Sequence, residues 1–89
     1  MTQTMTPEQT IRIEVESVKV LLTAIEDDDY TPLQSSLEIL RTQIPLLDRS
    51  TPEAIVFAEA ADNVAYAIEF KASAQEIVGR CEELLELPG

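Results

Sequence analysis

The chain has 89 residues, enough for one domain that buries only about 60% of the surface its unfolded form exposes. At 45% hydrophobic with near-zero mean hydropathy it is too apolar to stay disordered, while a net charge of −11 opposes direct binding to a phosphate backbone. No uncharged apolar run approaches the roughly 18 residues of a membrane span, the start "MTQTMTPEQT" lacks the regions of a secretory signal, and a lone cysteine cannot form an internal disulfide. These features predict a cytoplasmic chain that binds neither membrane nor nucleic acid directly.

Residues 1–5 are expected to form a flexible tail. Three similar tetrapeptides, "TPEQ" at Thr6, "TPLQ" at Thr31 and "TPEA" at Thr51, then read as helix starts. A threonine hydroxyl can cap an early N–H, and proline in the first turn gives up only a donor that has no helical partner. Gln9 and Gln34 stand three residues after their threonines, the spacing of a capping box.

The first helix is predicted over about 7–27. Ile11, Val15, Val18, Leu22 and Ile25 recur at spacings of 4, 3, 4 and 3 and form one stripe. Glu8 with Arg12, and Glu16 with Lys19, are favourable surface pairs on that helix. The run "IRIEVESVKV" also alternates as a strand would, but the chain offers it no second strand, and a lone edge is a hazard.

The acidic stretch "EDDDYTPLQ" follows. Asp27, Asp29 and Glu38 fall at the first, third and twelfth places of a calcium loop, yet Pro32 occupies the sixth, where the sharp turn needs glycine. Residues 31–34 are also needed to open the next helix. The carboxylates therefore read as punctuation: they face the negative end of one helix dipole and the positive end of the next.

The second helix is expected over about 32–44, with Leu33, Leu37, Leu40, Ile44 and Leu47 as its stripe and Pro45 as its stop. Asp48, Ser50 and Thr51 supply turn and cap groups. From Pro52 to about Leu87 there is no proline, and a single long helix is the preferred reading. Its stripe shifts near Lys71, from Phe57, Ala61, Val64 and Ile68 to Phe70, Ala74, Ile77, Cys81 and Leu84. A break near residue 72, with Ser73 and Glu76 as a capping box, is the competing reading.

The fold class is therefore all-α: one antiparallel bundle over 1–89, of three helices with a long last one, or of four if that helix breaks. Its core must be aliphatic, since the chain has two Phe, two Tyr and no Trp.

Chemistry finds little to work with. There is no histidine, there are two glycines, and Cys81 has no base; Ser35, Ser36 and Ser73 have no partner at suggestive spacing. No catalytic, cofactor or metal residues are assigned, and the chain is not expected to be an enzyme. The preferred function is a small acidic protein-interaction module, a regulator, adaptor or accessory subunit, that dimerises through the last helix. Candidate partner-binding residues are Phe70, Ile77, Cys81, Leu84 and Leu85, with Glu82, Glu83 and Glu86 as an acidic rim suited to a basic protein. Alternatives are a nucleic-acid mimic that occupies a basic site, and a calcium-responsive helical protein.

Overall fold

A computed structural model describes residues 5–25 and 29–88. It contains four α-helices and no strand among those residues: α1 (Pro7–Ala24), α2 (Gln34–Gln43), α3 (Pro52–Glu69) and α4 (Ala74–Leu85). Short 3-10 turns at Thr31–Leu33 and Ile44–Leu46 flank α2. The strand-like alternation of the first segment is overridden by its 4-3-4-3 stripe, which packs Ile11, Val15, Val18 and Leu22 inward.

Each boundary has a local cause. Thr6 and Gln9 close the expected capping box, with Gln9 N–H donating to Thr6 Oγ1 at 3.2 Å and Thr6 N–H to Gln9 Oε1 at 3.0 Å. Helix α1 ends at Ala24, where Ile25 turns extended, three residues short of the expected 27. The second capping box does not form. Thr31 instead donates both its N–H (3.1 Å) and its hydroxyl (2.6 Å) to Asp29 Oδ1, so its oxygen points back and α2 opens from a 3-10 turn. Asp48 holds Ser50 in the same way, at 3.0 and 2.8 Å, just before Thr51 caps α3 through Ala54 N–H at 3.1 Å. At the other end of α2, Pro45 has no N–H to extend the ladder, and the last turn tightens into Ile44–Leu46.

The preferred reading of one helix over 52–87 is corrected. Helix α3 stops at Glu69 because Lys71 adopts the left-handed conformation at φ 53°. Lys71 N–H donates to Ile68 O at 3.1 Å and Ala72 N–H to Ala67 O at 2.9 Å, the two bonds of a Schellman closure. Ser73 then caps α4 by accepting from Glu76 N–H at 3.2 Å. The shift in the apolar stripe is this turn.

Around the bundle each helix packs against the next, α1 on α2, α2 on α3 and α3 on α4, and α4 closes the ring against α1. The core is aliphatic as composition requires, with Ile11, Val15, Val18, Leu33, Leu40, Ala61, Val64, Ile77, Cys81 and Leu84 all at 0% exposure. Alanines at 58, 61, 65 and 67 are the buried small residues of α3 and let its neighbours come close. The radius of gyration, 12.8 Å, compares with about 12 Å for a compact domain of this length.

Two polar side chains fasten the ring. Tyr30 is buried, and its hydroxyl donates to Ala72 O at 2.9 Å, tying the α1–α2 link to the α3–α4 turn. Arg12 lies 4.9 Å above the Phe57 ring, donates from Nη2 to Leu87 O at 2.9 Å and pairs with Glu8 at 3.6 Å. One side chain thus joins α1, α3 and the end of α4.

Candidate functional site

The structure divides the predicted partner-binding set. Ile77, Cys81 and Leu84 are wholly enclosed between α4, α1 and α3, so they are bundle core and not an outer face. The expected interface is corrected at these three residues for the reason that broke the long helix: once the chain reverses at Lys71, their stripe meets α1 of the same chain. Leu85 is half-buried against that core. Glu82, Glu83 and Glu86 are exposed as expected, but two are engaged within the chain, Glu82 with Lys19 and Glu83 with Arg80, each at 3.7 Å. Lys19 therefore reaches across to α4 in place of the expected Glu16.

Phe70 is the one apolar member of the set that stands outside, at 63% exposure. Tyr66, one turn earlier on α3, is equally exposed, and the two rings stack with centroids 4.3 Å apart and planes inclined at 34°. The chain has four aromatic residues. Two, Phe57 and Tyr30, are buried at 4% and 6%, and the other two share this outer ridge.

A cleft runs along each side of the ridge. On the α2 side, Arg41, Ile44, Pro45, Asp62 and Ala65 join Tyr66 around about 250 Å³. On the α4 side, Asn63, Ala67, Ala72, Glu76 and Arg80 join both rings around about 350 Å³. Arg41 is held by an ion pair to Glu69, which bridges α2 and α3 beneath the ridge. Phe70 is placed by the Schellman turn itself, since its own N–H completes the helix by donating to Tyr66 O at 3.0 Å.

The other exposed apolar residues carry no ring. Ile13 and Val20 lie on α1, where with Leu21 they line a shallow hollow, and Leu46, Ile55 and Val56 are exposed near the start of α3. Single exposed aliphatics are ordinary on soluble domains. A stacked aromatic pair flanked by arginines is different, because aromatic and arginine side chains are the types enriched at binding hot spots. The sequence carried that signal in the spacing of four between Tyr66 and Phe70, but Phe70 was read with the later stripe of Ile77, Cys81 and Leu84.

No chemical centre is assembled elsewhere among the described residues. Burial pushes the Cys81 thiol up to about 11, so it is protonated and enclosed at neutral pH, the opposite of a nucleophile's environment. The Thr31 hydroxyl and N–H hold the Asp29 carboxyl below its ordinary value, and that engagement uses the third place of the calcium-loop spacing. Glu26, Asp27 and Asp28, the rest of the acidic run before it, lie outside the described residues. Among the described residues no three His, Cys, Asp or Glu side chains cluster as a metal set, and no helix is long and apolar enough to cross a membrane.

Searches for kinship found no protein-family model, no curated protein and no solved structure that matches this chain.

Proposed function

We propose that the protein is a non-catalytic helical interaction module of the cytoplasm, a regulator, adaptor or accessory subunit, whose docking element is the Tyr66–Phe70 ridge. The observation that carries the reading is the pair of stacked rings left in solvent by a bundle that encloses its other two aromatics. A small domain with a modest core gains more by burying such rings than by exposing them. Their place on the surface therefore has a cost that a partner would offset.

The surroundings support the reading. Arg41 is paired with Glu69, and Arg80 lies 3.7 Å from Glu83, so forked guanidinium donors stand beside both clefts. The clefts on both sides give an incoming side chain somewhere to go. The ridge also belongs to a rigid turn, fixed by two backbone bonds and by Tyr30 from below.

The test is to immobilise the chain and compare what it retains from extracts of its source cell with what the Tyr66→Ala, Phe70→Ala double variant retains. Both rings are exposed, so helix content and melting temperature should change little. Retention of a stoichiometric protein by the native chain, lost at least about tenfold in the variant, is the expected result. Equal retention by the two chains would remove the ridge from the function.

A further inference from the structure

We propose that the ridge seats a second copy of this chain, giving a two-fold dimer in which each Tyr66–Phe70 pair lies along a cleft of the other copy. This inference rests on reading the ridge as a docking surface and names its occupant.

Charge selects the occupant. Every copy carries −11 overall, so two copies repel over most of their surface. Around the ridge the balance is different. Among the described residues Arg41, Lys71 and Arg80 stand there with Asp62, Glu69, Glu76 and Glu83, three cations against four anions. The patch thus holds three of the chain's six basic residues and only four of the 14 described acidic ones, which leaves ten described carboxylates to share three cations elsewhere. It is a nearly neutral part of an acidic molecule, where a like-charged body can approach.

The near-neutrality comes from interleaved charges, and that distinguishes the patch further. A two-fold contact brings the same patch against itself, so a surface of one sign would meet its own repulsion, whereas a surface with both signs can pair with itself. A strongly basic partner would gain more from the acidic remainder than from this face. The apolar content fits as well: two exposed rings, with Ile44, Ala65, Ala67 and Ala72 lining the adjoining clefts. The rings alone are smaller than the roughly 800 Å² per partner of a stable interface, so the dimer is a reversible one that forms with concentration.

Salt gives the proposal a distinctive sign. Screening relaxes repulsion between the two acidic bodies and leaves the apolar contact intact, so association should strengthen as salt rises from ~20 mM to ~500 mM. Binding of an acidic surface to a basic partner would weaken over the same range.

The experiment is sedimentation equilibrium of the purified chain at both salts, from ~10 μM to ~1 mM, a range chosen for a contact below standard size. The expected mass rises from 9.9 kDa toward twice that value, at several-fold lower concentration in high salt. The Tyr66→Ser, Phe70→Ser variant should stay monomeric throughout, with unchanged circular dichroism. Replacing both cleft arginines, R41Q with R80Q, should weaken the dimer in low salt and much less in high salt. A native chain that remains monomeric at every concentration overturns the proposal, as does a dimer that survives loss of both rings or weakens with salt. If the native chain is monomeric while extract capture still depends on Tyr66 and Phe70, the docking reading stands and only the second copy is lost. If both fail, the ridge binds nothing.

Discussion

Tyr30 buries its ring at 6% exposure and directs its hydroxyl to Ala72 O, a carbonyl at the reversal between α3 and α4. Replacing it with phenylalanine keeps the packing and removes one bond across the fold, so Tyr30→Phe should cost about 0.5–1.5 kcal/mol in urea unfolding. Cys81 gives a second prediction. Its folded pKa is raised, so the stability it contributes is complete below the unfolded value near 9.0 and is lost as pH rises toward about 11, because only the unfolded thiol ionises in that window. The melting temperature of the native chain should fall more steeply from pH 9 to 11 than that of Cys81→Ala, compared by calorimetry in the same buffers. Parallel slopes would mean that the thiol is not shielded. Asp29 has the opposite sign: its lowered pKa contributes stability above the ordinary carboxylate range, lost as acid protonates it.

At the scale of elements, the α3–α4 turn departs most from what residue types suggest. A left-handed lysine carries strain of about 1 kcal/mol that glycine would not. Lys71→Gly should therefore stabilise the chain by about 0.5–1 kcal/mol, provided the position is left-handed as found. Gly79, inside α4, has the reverse character, since an added Cβ would meet nothing within 4 Å. Gly79→Ala should add about 0.5–1 kcal/mol by helix propensity alone, read as a higher urea midpoint. These two positions explain what could be read beforehand. The stripes of α1 and α2 and the Thr6 and Thr51 caps were legible, because 4-3-4-3 spacing and cap chemistry are local. The reversal at Lys71 was legible only as the competing break near residue 72, from the stripe shift and the Ser73–Glu76 spacing; it has neither the glycine nor the proline that marks such an end, and good helix formers on both sides argue for continuation. The inward placement of Ile77, Cys81 and Leu84 depended on that reversal and was missed with it. Of the ridge, the spacing of four puts Tyr66 and Phe70 on one helix face in either reading, but that this face stays in solvent depends on where α3 stops.

For the whole molecule, charge and connectivity set the behaviour. A body of −11 with a modest core repels itself when compact, so added salt should raise the melting temperature at concentrations too low for association. A melting temperature that fell with salt would mean that ion pairs such as Lys19–Glu82 outweigh the general repulsion. The helix ring has a kinetic consequence. Contacts of α1 with α2, α2 with α3 and α3 with α4 join neighbours along the chain, while α1 with α4, Arg12 with Phe57 and Tyr30 with Ala72 span long separations. Neighbouring contacts close short loops at little entropic expense, which places refolding among the fast helical domains, in microseconds to milliseconds. Arg12, gripping Leu87 O from α1, belongs to the final closure. Arg12→Met should then speed unfolding in stopped-flow traces while refolding hardly changes, whereas slowed refolding would put the clasp in the nucleus. The last helix behaves as a latch: its apolar face seats against α1, and one arginine near the other end of the chain is the clasp over its tip.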